Sequence, residues 1–229
     1  MKRFYRDAGF AAVDGGWQVR LDARALSTPK RAPLLLPAEA LAAAVAAEWN
    51  AQGERIQPAT MPMTGLANAA IDHVMPDPAA FAGSLAAYAA SDLVCYRADA
   101  PDALVQRQCA AWDPVVAFIR RRFDAELVVT TGIQHVAQPA ATLERLRAAL
   151  DTLSPFQLAG LQPVVTISGS LVIALMLAEG AIDTATAFAA GQIDELFQAE
   201  MWGDDDDARM AREGRRRDFD AASRFLTLL

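Results

Sequence analysis

The spacing of apolar residues changes near Pro37, and this change constrains the fold more than any other feature of the sequence. Before it, Trp17, Val19 and Leu21 alternate with polar residues, as they do in a half-buried strand. The Asp14-Gly15-Gly16 stretch just ahead of them is a hairpin signal. A short extended run is also expected within residues 32–37. We therefore predict a small β-rich domain over residues 1–60.

Beyond Pro37 the pattern is helical. Leu41, Val45 and Trp49 recur every four residues, and Gly53 is placed to end that helix. Further helices are predicted at 64–75, 78–94, 101–123, 139–152, 155–179 with a break near Pro163, 183–202 and 206–228, with a short strand or extended connection at 125–133. The predicted fold class is α+β, with a mainly α-helical domain over residues 61–229 following the β-rich one.

Charge and hydropathy exclude two classes of partner. The 229 residues carry a formal net charge of −7, which opposes binding to phosphate backbones, so we expect no nucleic-acid partner. The most apolar run, residues 163–178, is shorter than the roughly 20 residues that a bilayer span needs. We interpret it as a buried core helix and expect no membrane insertion.

The sequence lacks the common motifs of catalysis and cofactor binding. Dinucleotide-binding, phosphate-loop, zinc-protease and nucleophile-elbow patterns are absent, and Cys95 and Cys109 have no zinc-ligand spacing. The two histidines, His73 and His135, lie in different segments. We expect a non-enzyme with no catalytic residue, metal or cofactor. The open alternative is a small hydrolase-type enzyme whose unrecognised site uses His135 or a pair of acidic residues.

Four consecutive aspartates, Asp204–Asp207, are a candidate metal site or a helix start. A calcium loop interleaves its acidic residues with glycine, whereas this run is contiguous and leads directly into a helical pattern. Negative side chains stabilise the positive end of a helix dipole, and Asp205 is spaced to pair with Arg209. We predict a solvated helix start.

The segment just upstream is more informative if residues 183–202 form one helix. Four apolar side chains would then form one core-facing stripe: Ile193, Leu196, Phe197 and Met201. Glu200 falls inside this stripe, so it needs an arginine partner, protonation, the edge of a groove or access to water. On the opposite side, Phe188, Glu195 and Trp202 recur at seven-residue intervals. That line indicates burial against another helix or an exposed recognition surface.

Several long motifs resemble one known family. They are LDARALSTPKRAPLLLP, AVAAEWNAQGERIQPATMPMTGLANAAID, SDLVCYRAD with RQCAAWDPV, and GQIDELFQAEMWG, which together extend over nearly the whole chain. The family is that of the assembly chaperones for the alpha subunit of the soluble catalytic head of F-type ATP synthase. The chain departs from it at Ala23, where glycine is usual, and in the residues that follow Gly203.

The resemblance implies a chaperone that binds the free alpha subunit and shields its apolar interface until the beta subunit arrives. The family's functionally sensitive segment corresponds here to Glu195, Gln198, Glu200, Trp202 and Gly203. The helical pattern adds Phe188 to these partner-binding candidates. We expect a monomer when free, in a bacterial cytoplasm, or in the mitochondrial matrix if the chain is a trimmed organellar form. A structural scaffold subunit of the synthase is the remaining alternative.

Overall fold

A computed structural model describes residues 1–229 and divides the chain into two compact units. Unit 1 comprises Met1–Pro78, Ser154–Gly160 and Arg224–Leu229, and unit 2 comprises Ala79–Leu153 and Leu161–Ser223. The predicted α+β class is confirmed, because a small sheet lies near the N-terminus and most of the remaining chain is helical. The domain boundary after residue 60 stays a prediction.

The sheet of unit 1 is antiparallel. Its strands are β1 (Ala8–Val13), β2 (Gly16–Leu21), β3 (Arg24–Ala25) and β4 (Leu35–Leu36). β2 pairs with each of the other three, so β1 lies at one edge. The hairpin predicted between β1 and β2 is confirmed. Gly16 has a φ of 149°, and an added Cβ would lie 2.5 Å from the Leu36 carbonyl oxygen, so only glycine fits there.

The core of unit 1 lies between this sheet and helix α1 (Glu39–Asn50). Val19 and Leu36 are fully buried on the sheet side, and Leu41 and Val45 on the helix side. Helix α2 (Pro62–Ala69) follows and continues into a π-helical turn at Ala70–Val74. The alternating and four-residue patterns of the sequence therefore correspond to the two faces of one core.

Unit 2 is helical apart from β5 (Tyr96–Arg97) and β6 (Thr130–Thr131), which pair in parallel. The helices that follow α2 are α3 (Pro78–Ala86), α4 (Asp102–Phe123), α5 (Ala140–Asp151), α6 (Pro155–Ser168), α7 (Leu171–Ala178), α8 (Thr184–Gly191), α9 (Ile193–Trp202) and α10 (Asp206–Thr227). The first residues of α6 and the last residues of α10 belong to unit 1. Buried Trp112 of α4 donates from Nε1 to the Ala190 carbonyl (2.8 Å), which joins α4 to α8. No helix is both long enough and apolar enough to span a bilayer.

Three predicted helix boundaries are wrong. Helix α1 ends at Asn50 with Ala51 as its C-cap, so Gly53 does not end it. The apolar helix does not break at Pro163 but continues to Ser168, and it ends at Gly169, whose φ of 67° is left-handed. Ser170 then caps α7, because its hydroxyl accepts from the Ile173 N–H (3.1 Å). Residues 183–202 are not one helix either, since Gln192 leaves the helical region with φ −120° and ψ 12° between α8 and α9.

The break at Gln192 has a tertiary cause. A Cβ added at Gly191 would lie 2.8 Å from both Cα and Cβ of Ser168, so α8 ends against the end of α6 at a distance that only glycine allows. The Gln192 side chain donates to the carbonyls of Ile167 and of its own neighbour Gly191. These contacts redirect the chain, and α9 therefore begins with a new orientation.

Candidate partner-binding site

Exposed apolar side chains gather where α9 ends and α10 begins. Trp202 is 78 % exposed, and Met201 beside it and Met210 in the second turn of α10 are also more than half exposed. Exposed methionine and tryptophan in one stretch are typical of a surface that another molecule covers. Met201 was predicted to lie in the core stripe, which is wrong, whereas Phe197 of that stripe is buried.

An ion-pair cluster joins the two helices. Glu195 of α9 accepts from Arg212 (3.1 Å) and Arg215 (2.5 Å) of α10. Arg212 also pairs with Asp204 in the connecting segment, and its side chain is only 13 % exposed. Because a mostly buried guanidinium contacts two carboxylates, its geometry is well determined. Glu195 therefore positions α10 against α9.

Glu200 is paired as well. Its carboxylate lies 2.7 Å from Arg107 of α4, so of the alternatives left open by the sequence the structure shows an arginine partner. The Arg107 guanidinium also lies over the Phe197 ring, 5.2 Å from its centroid. Both members of the ion pair remain about half exposed, so the pair lies at the rim of the apolar surface rather than in the core.

The other predicted site residues fall into different environments. Gln198 is exposed, and Gly203 ends α9 with φ 93°, a conformation that favours glycine although an added Cβ would meet nothing within 4 Å. Phe188 is buried on α8, with its ring edge-to-face against Phe219 (5.4 Å between centroids). The predicted line of Phe188, Glu195 and Trp202 along one helix is wrong, because the helix breaks at Gln192.

The aspartate run lies where the helix start was predicted. Asp206 is the first residue of α10, and the Asp205 side chain accepts from the Asp207 N–H (3.1 Å). The ion pair with Arg209 comes from Asp206 (2.6 Å) and not from Asp205 as predicted. The run therefore places several carboxylates beside the exposed Trp202, at the positive end of the α10 dipole.

Comparison with known proteins assigns the chain to a family. Residues 2–120 match the family model described as ATP12 chaperone protein. The chain belongs to the ATP12 chaperone family. This confirms the family that the sequence motifs indicated.

Relatives of this ATP12 family member extend the match to the whole chain. The structure of Atp12 from Paracoccus denitrificans is 44 % identical, with a TM-score of 0.95 over 99 % of this chain and 97 % of that one. The Atu1473 protein of Agrobacterium tumefaciens is 37 % identical, with a TM-score of 0.94 over 99 % of this chain and 85 % of that one. Protein atp12, mitochondrial, of Schizosaccharomyces pombe is 24 % identical over 220 residues, 90 % of this chain and 75 % of its own length.

The histidines of this ATP12 family member do not lie in a catalytic arrangement. His135 Nδ1 lies 3.2 Å from the Tyr96 hydroxyl, in an open cleft of about 320 Å³ that Ser91 and Ile133 complete. None of these lining residues is a carboxylate that could orient the imidazole. His73 is an exposed residue of the π-helical turn. The hydrolase alternative therefore gains no support from the geometry around either histidine.

Sequence reasoning missed a larger cleft. This cleft lies beside α4 and has a volume of about 650 Å³. It is lined by Arg97, Asp113, Val116, Ala117, Arg120, Arg121, Asp124 and Val129. Buried Arg97 pairs with Asp113 (3.0 Å), and its guanidinium lies over the Trp112 ring. The only signal in the sequence was the Arg120–Arg122 run at the end of a predicted helix. That run is the usual complement of a helix C-terminus, so it did not point to a cleft.

Proposed function

We propose that this protein is an assembly chaperone that binds the free alpha subunit of the ATP synthase catalytic head and shields its interface until the beta subunit joins. Membership of the ATP12 chaperone family supports the general role in ATP synthase assembly. The alpha subunit as client, the absence of catalysis and a bacterial cytoplasmic location are finer parts of the proposal, and the choice of client rests on the sequence motifs.

The exposed apolar surface formed by Met201, Trp202 and Met210 is the observation that carries this function. The Trp202 side chain is 78 % exposed, and contact of its apolar ring with water is unfavourable in the free protein. A partner that covers the ring removes this contact and so gains binding free energy. An unassembled subunit exposes an interface of its own, and covering that interface prevents aggregation. Two apolar surfaces that are each exposed before assembly thus meet in the complex.

The polar residues around Trp202 have separate roles in the proposal. Gln198 and Glu200 lie at the rim and contact the client, with Glu200 held in place by Arg107. Glu195 acts indirectly, because its two arginine partners fix α10 beside α9. Gly203 supplies the turn that leads away from Trp202. Phe188 does not contact the client in this proposal. Its ring is buried, so it supports the packing of unit 2.

The test is suppression of aggregation of isolated alpha subunit, followed by light scattering without ATP. Trp202→Ala should raise the concentration needed for half-protection by about tenfold or more, because a central aromatic at an interface typically contributes at least 2 kcal/mol. Ile133→Ala is the matched control, since that side chain is 99 % exposed and lies beside Tyr96 and His135, none of which belongs to the proposed surface. Equal protection by both soluble variants would remove the site assignment.

The scaffold alternative predicts a different fate for the protein. A structural subunit stays in the mature synthase, whereas an assembly chaperone leaves it. Mass analysis of the purified, assembled complex separates the two. Detection of this chain at a fixed stoichiometry would contradict the chaperone.

A further inference from the structure

The outer edge of β1 has unpaired backbone groups. Asp22 donates its N–H to the Asp7 carbonyl (2.8 Å), so residues 7 and 22 form a hydrogen-bonded pair. Such pairs alternate along an antiparallel ladder, and the register of β1 with β2 therefore bonds residues 9, 11 and 13 to β2. The N–H and C=O groups of Ala8, Phe10 and Ala12 point away from β2, past the outer edge of the sheet.

Only the first of these three residues has a substitute partner. The Asn50 side chain accepts from the Ala8 N–H and donates to the Ala8 carbonyl, both at 2.7 Å, as a neighbouring strand would. Phe10 and Ala12 have no such partner and are exposed. The edge is therefore closed at one end by an amide and open over the remainder.

Nothing in β1 blocks the addition of another strand. Its sequence, AGFAAV, contains no charge and no proline, the residues with which natural edges avoid pairing. The Phe10 ring packs edge-to-face on Trp17 (5.8 Å between centroids) and remains 36 % exposed. An added strand would place one of its side chains against this ring and complete the face of the sheet.

We propose that the outer edge of β1 is a strand-addition site for an extended segment of the client protein. The inference rests on the proposed function for the identity of the client. Pairing with Phe10 and Ala12 engages about four backbone hydrogen bonds, so it recognises an extended main chain with little dependence on sequence. A chaperone that receives an incompletely assembled subunit gains from this tolerance.

Charge defines the ends of that segment. Asp7 and Asp14 flank β1: Asp14 lies beyond its open end, and Asp7 lies beyond the end that Asn50 closes. Both are exposed, and neither carboxylate has an ion-pair partner. The segment that fits is uncharged at its centre and carries lysine or arginine at its ends. Neutralising both carboxylates, as in Asp7→Asn with Asp14→Asn, should therefore weaken client binding and reduce its dependence on salt.

A second copy of this chain fits poorly at the same edge. If two copies paired antiparallel through both Phe10 and Ala12, Phe10 of one copy would lie opposite Ala12 of the other. Asp14 then falls opposite Ala8 of that copy, whose outward backbone is already bonded to Asn50. The same register brings Asp7 next to Asp14 of the other copy at both ends, which adds like-charge repulsion.

Amide hydrogen exchange of the full chain, with and without isolated alpha subunit, tests the proposal. The Phe10 and Ala12 amides should exchange at least about tenfold more slowly in the complex, while those of Gly9 and Ala11, already bonded to β2, should change little. Ala12→Pro removes an outward N–H and should weaken binding by about tenfold, whereas the control Ala12→Val keeps the N–H and should bind like the wild type.

Each contrary outcome has a distinct meaning. A complex that forms without slowing exchange at Phe10 and Ala12 overturns the edge proposal and leaves the proposed function intact. Failure to form any complex overturns both. If these two amides exchange more slowly in the free chain as the protein concentration rises, the edge is a site of self-association instead.

Discussion

The buried carboxyl of Asp92 should make stability depend on pH in an unusual direction. Asp92 is fully buried and accepts from the N–H groups of Val94 (3.3 Å) and Val172 (3.1 Å), so it joins the β5 region to the start of α7. Burial raises its pKa to about 6 from 3.8, and these hydrogen bonds only partly oppose the rise. The folded state therefore holds this proton at pH values where the unfolded chain releases it.

The sign and size follow from proton linkage. A folded-state pKa above the unfolded value contributes stability that is complete below about pH 3.8 and is lost as the pH rises through about 6. The shift corresponds to about 3 kcal/mol in total, of which about 2 kcal/mol is lost between about pH 4 and about pH 7. Lowered pKa values at exposed Asp22 and Asp183, both from backbone hydrogen bonds, act in the opposite direction.

Urea unfolding of wild type and Asp92→Asn across this pH range isolates the contribution. The wild type should lose about 2 kcal/mol of unfolding free energy relative to the variant from about pH 4 to about pH 7. Asp99→Asn, at an exposed carboxyl, is the control. A difference between wild type and Asp92→Asn that stays constant with pH would refute the reasoning, whatever the absolute stability of the variant.

Three further predictions concern two glycines and the ion pairs that link α9 to α10. Gly191→Ala should lower the unfolding free energy by about 1–3 kcal/mol, because its Cβ would lie 2.8 Å from the Ser168 backbone. Gly65→Ala, at an exposed position of α2 with nothing within 4 Å of an added Cβ, should instead stabilise by about 0.5–1 kcal/mol, and urea midpoints check both. Glu195→Gln should speed hydrogen exchange across residues 203–212 severalfold, since it weakens the pairs with Arg212 and Arg215, whereas Glu213→Gln, at an exposed position of α10, should not. Equal exchange in these two variants would count against Glu195 as the residue that positions α10.

The sequence was most informative where structure is local. The hairpin at Asp14-Gly15, the alternation of Trp17 to Leu21 and the four-residue spacing of α1 depend on neighbouring residues, and all were predicted. Arginine pairing of Glu200 was one of the alternatives left open by the sequence, because a carboxylate inside an apolar stripe needs a partner or access to water. Its particular partner, Arg107, lies far away in the sequence and had no signal of its own.

The errors lie where distant contacts override local preference. Gly191 is the local signal beside Gln192, but a single glycine inside a helical pattern is often tolerated. The break follows from the close approach of Ser168 to Gly191, which the local sequence does not reveal. That break separates Phe188 on α8 from Glu195 and Trp202 on α9, because helical spacing carried across it no longer describes one helix. Met201 lies in the last turn of α9, in the same helix as the rest of its predicted stripe, and is exposed there. Proline rules likewise placed a break at Pro163, whereas the left-handed Gly169 determines the end of α6.

Direct binding of the purified chain to isolated alpha subunit tests the central claim. Titration calorimetry or analytical ultracentrifugation, with isolated beta subunit as control and no nucleotide present, measures it. The proposed function predicts a defined complex with alpha, no complex with beta, and much weaker binding to alpha after Trp202→Ala. Absence of an alpha complex, or equal binding to both subunits, would contradict it.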